Sequence, residues 1–570
     1  MNPTTPPRSL FPTFVTLSLL FLASTGAPGA ASAAGCPSGL APVETQSGPA
    51  CGTLVSAAGG QVDTYLGMPY ATAGRWEDPQ PMGQWTGTFD AKAFGSICPQ
   101  GSAAFPESED CLSINVWQPH GANGLPVMLF IHGGAFIEGA SASPLLNGLE
   151  LAASQKVVVV SFNYRLGALG FLAGGFADGG TLDGNFGFKD QQTALRWVHD
   201  NIGKFGGDQG NVTLFGESAG AMSVGLHMHS PKSEKLFHKA ILESNPFALP
   251  YKNSAEAAPF ATNLEGALGC TNPASGPKGL ACLRQASVTY SQIVAAQSSQ
   301  SVVAPAAQQG FVDFLVWSPI LDGTVIPGDP INAKFDRPTL IGTNLNEGKL
   351  FLDLIKEQVY KKTGAKKISG YVARHEILNL FFGTDTSSIG DQYDIPKYWG
   401  DATEDVGNIL NDYIFTCANR FAAGQAADTS KVWAYQFRPL TTYDVYKGAV
   451  PDCVQNADPN VQSPICHGDE LPYVFASWSG AGVTPSSDET KLTQTILGLW
   501  GSFAATGTPG GSVTWTALGT DKNYLLLDAS PSVEKDPLDA PANCDFWDTI
   551  KYDLRTVPDS LFKASARGRR

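Results

Sequence analysis

The residues best suited to chemistry in this 570-residue sequence form a short run, Gly216-Glu217-Ser218-Ala219-Gly220, directly after the apolar stretch Asn211 to Phe215. The segment that follows, Ala221 to Leu226, can start a helix. A serine on a tight strand-to-helix turn has its hydroxyl thrust out of the backbone, and glycines two before and two after it relieve the crowding. The helix N-terminus beneath it favours developing negative charge. A second run, His132-Gly133-Gly134-Ala135-Phe136, closes the apolar stretch Val127 to Ile131. Small residues there let backbone N–H groups approach a reacting carbonyl oxygen. Taken singly, each run has a bland reading, a chance match and an ordinary glycine turn. Together, at the ends of two strands, they describe a nucleophile and an oxyanion hole for acyl transfer.

A serine hydroxyl is a weak nucleophile and needs a base and an orienting acid. Where the serine sits on such an elbow, the acid and then the histidine follow it in the chain. Only two of the eight histidines come after residue 238, His375 and His467. His375 falls in the periodic apolar stretch Gly370 to Phe382, which reads as a helix, and a surface position explains it. His467 lies in Cys466-His467-Gly468-Asp469-Glu470, a loop that a 453–466 disulfide would fix, which suits a general base. For the acid, Glu347 in the segment Gly342 to Gly348 follows a short apolar strand and so lies at a carboxyl end. Asp322, in Leu321-Asp322-Gly323-Thr324, is the rival, with the look of a turn aspartate. The pattern favours Glu347 and leaves Asp322 open.

The elements that must position these residues are short and strongly apolar: Val127 to Ile131, Val157 to Phe162 and Val212 to Phe215. Such runs suit parallel strands buried on both faces. Helical patterns lie between them, for example Lys189 to Asn201, and strand–helix alternation argues a parallel sheet flanked by helices. Gly59 to Tyr70 and the Trp85-Thr86-Gly87 region read as β-rich. Further strands are expected at Ala240 to Leu242, Thr339 to Ile341, Val432 to Gln436 and Tyr524 to Leu527. Ala248 to Ser318 reads as mostly helical and suited to capping the sheet. With no internal repeat and no linker, the expectation is one α/β domain over 34–570, a large, mostly parallel central sheet flanked by helices with helical insertions over the active site.

Lys+Arg 37 against Asp+Glu 52 gives a net charge of −15, which gains nothing from phosphate counterion release and argues against nucleic acid as a partner. Hydrophobic residues at 43% and charged residues at 16% describe a filled core and exclude disorder as a description of the whole. Residues 1–33 stand apart: Arg8, the apolar run Leu10 to Ala23, then Ala31-Ser32-Ala33 as a cleavage site, read as a signal peptide. The run is short of the roughly 20 residues that span a bilayer, and Cys36 lies too far beyond it for a lipoprotein signal. A secreted or periplasmic protein without a stable membrane span is the expectation. Ten cysteines in an exported chain read as up to five disulfides. Spacing suggests Cys36–Cys51, Cys98–Cys111, Cys270–Cys282 and Cys453–Cys466, leaving Cys417–Cys544 as a long closure. Short Cys-x-x-Cys spacings, the mark of a zinc site, are missing from the sequence, and His227-Met228-His229 faces two ways on a helix. Neither a metal nor a cofactor is expected.

In motif order from about Gly67 to Trp547, the chain resembles the type-B carboxylesterase/cholinesterase family. Beyond the two runs above, the resemblance rests on Ser108-Glu109-Asp110-Cys111-Leu112, Asn163-Tyr164-Arg165-Leu166-Gly167 and Gly184-Asn185-Phe186-Gly187-Phe188-Lys189-Asp190-Gln191. It implies the α/β-hydrolase fold and hydrolysis of small-molecule carboxylic esters without a cofactor. Matched residue by residue, it implies Ser218 as nucleophile, Glu347 as acid and His467 as base, with oxyanion amides at Gly134, Ala135 and Ala219. It further implies Glu217 as a buried glutamate that steadies the imidazolium, and structural ion pairs Arg165–Asp190 and Arg75–Glu109. The family's disulfides support 98–111, 270–282 and 417–544.

The departures narrow the substrate. Twelve residues separate Cys98 from Cys111, and none is Trp or Tyr. In cholinesterases that loop is longer and brings a tryptophan to the choline cation; without that tryptophan, capture of a quaternary ammonium loses its main partner. In related lipases the loop forms a lid, and twelve residues are few for covering an apolar groove. The main expectation is a secreted serine carboxylesterase acting through an acyl-enzyme. The alternatives are a lipase-like or specialised bulky-ester (toxin) esterase on the same triad, and a non-catalytic cholinesterase-like binding protein, a class in which triad members are typically lost. Trp317, Phe136, Phe351 and Met222 are candidates for an acyl or alcohol pocket, with core packing as the competing explanation. Asn211-Val212-Thr213 is a glycosylation sequon leading into a buried strand.

Overall fold

A computed structural model of the chain describes residues 36, 40–299, 301, 310–383, 386–439, 441–443, 445, 446, 450–454, 464–538, 543–550 and 552. The export segment read at 1–33 lies outside the described residues.

Eleven strands form one sheet. In chain order they are β1 (Thr53–Ala57), β2 (Gly60–Pro69), β3 (Ser113–Pro119), β4 (Leu125–Ile131), β5 (Val158–Phe162) and β6 (Gly207–Glu217). They continue with β7 (Lys239–Glu243), β8 (Thr339–Asn344), β9 (Val432–Phe437), β10 (Asn523–Leu527) and β11 (Ser532–Lys535). Their order across the sheet is β11-β10-β9-β8-β7-β6-β4-β5-β3-β2-β1. From β5 through β4, β6, β7, β8 and β9 to β10 every pairing is parallel. Antiparallel strands close both edges, β3, β2 and β1 on one side and β11 on the other.

The apolar runs read as two-face strands because successive side chains enter two different cores. Along β4, Val127, Leu129 and Ile131 join one cluster while Met128 and Phe130 join the other. Along β7, Ala240 and Leu242 face the first and Ile241 the second. Period-two alternation thus fills both faces rather than one. Helices α1 (Leu149–Gln155) and, late in the chain, Ser487–Thr506 cover the second face with Leu151, Ala152, Leu492, Ile496, Trp500 and Phe503. Helices α2 (Phe186–Asn201), α3 (Ala219–His227) and the later Cys417–Ala427 cover the first. The long helix Ser487–Thr506 begins at a capping box on Ser486 and Glu489 and stops at Gly507 in the left-handed region.

Helices also fill the connection from β7 to β8, at Ser254–Ala267, Gly279–Leu283 and Tyr290–Gln297. The connection from β8 to β9 opens with α4 (Gly348–Thr363). Two local expectations change. The Trp85–Gly87 segment is not strand; instead Trp85 donates its indole N–H to the Pro49 carbonyl and packs over Gly48. The Val212–Phe215 strand is longer, running from Gly207 into the serine motif itself at Glu217. Five disulfides join Cys36–Cys51, Cys98–Cys111, Cys270–Cys282, Cys417–Cys544 and Cys453–Cys466. None of the described helices is long and apolar enough to cross a membrane.

Candidate active site

Ser218 occupies the turn between β6 and α3 with φ 57° and ψ −123°, a conformation that costs a non-glycine residue about 1–3 kcal/mol. Its N–H donates to the Glu243 carbonyl at 3.0 Å and its carbonyl accepts from the Met222 N–H at 2.9 Å, so neighbouring strand and helix hold the strained residue. The flanking glycines are required by contact as well as by the turn. A Cβ on Gly220 would stand 2.0 Å from the Ile131 carbonyl oxygen, and one on Gly216 would stand 2.8 Å from the same atom. The serine turn therefore rests directly on the end of β4, where the His132-Gly133-Gly134 loop begins.

That loop closes over the serine. A Cβ on Gly133 would lie 2.6 Å from Glu217 Oε2 and 3.0 Å from Ser218 Cβ. Gly134 and Ala135 both have positive φ, 105° and 53°, and the Gly134 carbonyl turns away to accept from the Ile137 and Glu138 N–H groups. Among the described residues, the N–H groups of Gly134, Ala135 and Ala219 donate to no protein acceptor. His132 is buried beneath, stacked on Tyr164 at 4.5 Å, and burial pulls its imidazole down to about 4, so it is a neutral support. Gln100, from the Cys98–Cys111 loop, donates to the Gly139 carbonyl and accepts from its N–H, which ties that short loop to the loop that follows β4.

Glu347 and His467 arrive from β8 and from the segment after β9. Glu347 is fully buried; its Oε2 lies 2.6 Å from His467 Nδ1 and its Oε1 accepts the Asn344 N–H at 2.6 Å. The two loops are also stitched by Asn346 N–H to the Ile465 carbonyl at 2.9 Å and by Asn344 Nδ2 to the Cys466 carbonyl at 2.8 Å. Tyr446 donates to the His467 carbonyl at 2.6 Å. Phe351 and Phe415 flank the imidazole, with ring centroids at 6.0 and 5.1 Å, and Phe314 packs on Phe351. On the far side of the ring, Nε2 lies 3.2 Å from Glu217 Oε1. Among the described residues Nε2 makes no hydrogen bond, Ser218 Oγ included. Such bonds often tighten only when substrate binds.

The electrostatics follow from burial and charge. Burial alone disfavours the imidazolium, but Glu217 and Glu347 outweigh it and hold His467 above the ordinary histidine value. Burial raises the Glu217 carboxyl, with His467 opposing and Glu347 assisting. Asp469, also buried, adds to the pull on His467, and two further acids, absent from the sequence-based candidates, lie nearby. Glu243, fully buried, accepts from Trp500 Nε1 at 2.7 Å and is pushed by burial to about 8. Glu470, three residues after the histidine, reaches Asn344 Nδ2 and Ser244 Oγ and is raised by burial and the other acids. Glu470 shares the motif loop with His467 and was open to notice there; Glu243 carries no motif signal at all.

The remaining candidates separate. His375 is exposed, on a π-helical turn over Ala373–Ile377. Asp322 spends Oδ1 on the N–H groups of Thr324, Val325 and Ile326, as a turn aspartate does. Arg165 and Asp190 form a buried bidentate pair, whereas Arg75–Glu109 is partly exposed, with side chains 13% and 33% accessible. Of the pocket candidates, Phe351 lies against the imidazole. Phe136, Trp317 and Met222 are buried, with Phe136 packed on Phe171 and the Trp317 indole bonded to the Gln297 carbonyl. Among the described residues, no three His, Cys, Asp or Glu side chains are grouped to hold a metal ion.

Comparison with known proteins places this geometry in context. The model of the carboxylesterase family matches residues 40–547. The fumonisin B1 esterase of Sphingopyxis macrogoltabida is 33% identical, over 82% of this chain and 82% of that protein. The para-nitrobenzyl esterase of Bacillus subtilis (strain 168) is 32% identical, over 87% and 96%. A solved structure of a PNB esterase superposes with a TM-score of 0.72 at 31% identity, covering 88% of this chain and 99% of that one. With its mixed sheet covered on both faces and its motifs at the strand ends, the chain belongs to the carboxylesterase family, a carboxylic-ester hydrolase of the α/β-hydrolase fold.

Proposed function

We propose that the protein is an exported serine carboxylesterase that cleaves small-molecule esters through a Ser218-Glu347-His467 triad and an acyl-enzyme. The observation that carries this reading is the buried 2.6 Å Glu347–His467 contact, in loops at the same end of the sheet as the strained Ser218 turn. In the first half-reaction Ser218 Oγ attacks the ester carbonyl and His467 Nε2 takes its proton. Glu347 orients the ring through Nδ1 and stabilises its positive charge. The oxyanion accepts from the Gly134, Ala135 and Ala219 N–H groups, each lone donor of this kind contributing about 3–4 kcal/mol to the transition state. His467 returns its proton to the departing alkoxide. Water then repeats the sequence on the acyl group, leaving acid and free serine.

The short loop between Cys98 and Cys111, anchored to Gly139 through Gln100, supports an entrance without a lid and hence short acyl chains. Five disulfides agree with an oxidising compartment, secreted or periplasmic. The test is hydrolysis of neutral p-nitrophenyl esters from acetate to palmitate, with Ser218→Ala as control. Activity peaking at short chains and lost in the variant, while its circular dichroism stays native, is expected. Undiminished hydrolysis by Ser218→Ala sinks the triad; a long-chain maximum moves the protein to lipase chemistry.

A further inference from the structure

We propose that Lys356, Asp452 and the Cys453–Cys466 disulfide close a ring through α4 and the histidine loop, and that this ring sets the acid-to-base distance of the triad. The inference rests on the reading of Glu347 and His467 as acid and base. Helix α4 starts at Gly348, the residue after Glu347. Further along it, Asp353 Oδ2 accepts the Asp452 N–H at 3.1 Å, and Lys356 Nζ donates to both Asp452 carboxylate oxygens at 2.8 and 2.7 Å. Asp452 precedes Cys453 in a short helical turn, Pro451–Cys453. Cys453 is bonded to Cys466, and His467 is the next residue. From there the Nδ1–Glu347 Oε2 contact at 2.6 Å returns to the start of α4.

Both cysteines are buried, at 1% and 0% exposure. Burial works against the Lys356 ammonium, but Asp452 and Asp353 outweigh it and hold its proton more firmly than usual. The hydrogen bonds of Asn344 and Asn346 to the histidine loop fix its position along β8. They act on one side only. The disulfide and Lys356 hold the same loop from the α4 side, in addition to the Tyr446 hydroxyl on the His467 carbonyl, so the imidazole is braced from several sides. Lys356, Asp452 and the cysteines are positioning residues and touch no reacting atom.

A ring opened at one place is open throughout, which separates this arrangement from independent stabilising contacts. The test compares Asp353→Ala/Lys356→Met, which removes both links from α4 to Asp452, the double variant Cys453→Ala/Cys466→Ala and their combination, with Lys356→Arg as the conservative control, in p-nitrophenyl acetate hydrolysis. Each opening is expected to lower kcat about tenfold with KM changed by less than about twofold, and Lys356→Arg to recover most of the loss. The combined variant should be no slower than the slower of its parents. The low-field proton resonance of the His467–Glu347 hydrogen bond should broaden in the opened rings. Wild-type kcat in Asp353→Ala/Lys356→Met, which keeps the disulfide, overturns the proposal, as do losses that multiply in the combination. Wild-type kcat in the ring variants beside a dead Ser218→Ala removes the ring alone; full activity in Ser218→Ala removes the triad and the ring together.

Discussion

Replacing Glu217 with glutamine probes how the site sets the strength of His467, the proposed base. Glu217 Oε1 stands 3.2 Å from His467 Nε2, and Glu347 Oε2 stands 2.6 Å from Nδ1. Burial opposes the imidazolium, yet the two carboxylates prevail and raise the ring above its ordinary value. General-base catalysis uses the neutral ring, so a raised value moves the acid limb of kcat/KM to higher pH, above about 6.5. At an effective dielectric of about 20, a full charge at 3.2 Å favours the imidazolium by about 5 kcal/mol. At about 1.4 kcal/mol per pH unit, that is a ceiling of about four units. The actual effect is smaller, because burial raises the Glu217 carboxyl and leaves it partly protonated near neutrality. Glutamine also keeps an oxygen in the same place. The limb in Glu217→Gln is therefore expected about one to two pH units below wild type, with the alkaline plateau lowered by less than about tenfold. The assay is kcat/KM on p-nitrophenyl acetate from about pH 5 to 10, corrected for spontaneous hydrolysis. A limb that stays in place, or moves upward, refutes this account of the base.

Other expectations follow from packing and burial. Gly133→Ala puts a methyl within 2.6 Å of Glu217 Oε2 and 2.8 Å of the Glu217 carbonyl; the oxyanion loop must shift, and kcat should fall about a hundredfold with little change in melting temperature. Asp190→Ala strands the Arg165 guanidinium, whose side chain is 6% exposed, and chemical denaturation should report a loss of about 3–5 kcal/mol. Glu243 sits at about 8 in the folded protein against an ordinary 4.5. The native state therefore binds its proton where the unfolded chain has released it, so stability falls as pH rises through that window and levels off above it. The slope approaches about 1.4 kcal/mol per pH unit for one proton. Melting curves of Glu243→Gln at about pH 5 and 8 should differ less than those of wild type; an equal difference would count against a protonated Glu243.

Much of this arrangement is legible in the sequence because its signals are local. The strands β4, β5 and β7 announce themselves as short apolar runs, since both their faces are buried and no polar alternation interrupts them. The serine and oxyanion motifs carry glycines whose need is set by contacts within a few residues of each strand end. Trp85–Gly87 misled because an aromatic beside a threonine has strand propensity, while its actual place is fixed by a bond to Pro49, distant in sequence. Glu243 could not be singled out: it closes the strand Lys239–Glu243, and only its neighbours across the sheet and Trp500, 257 residues away, make it a buried acid. The partial exposure of Arg75–Glu109, unlike Arg165–Asp190, likewise depends on what packs over the pair.

The meeting of the serine turn with the end of β4 has an evolutionary consequence. Methyl groups at Gly133, Gly216 or Gly220 all collide with backbone atoms of the opposite loop or of the turn itself. The proposed nucleophile and oxyanion hole therefore behave as one unit: a stepwise change in either loop damages both before it improves anything. Adaptation to a new ester has to be written elsewhere, in parts that reach the reacting centre through side chains alone. Phe314, Phe351 and Phe415 come from insertions between sheet strands, and the Cys98–Cys111 loop meets the loop that follows β4 through Gln100. These are the positions at which substitutions can change the preferred ester while leaving the proposed chemistry in place.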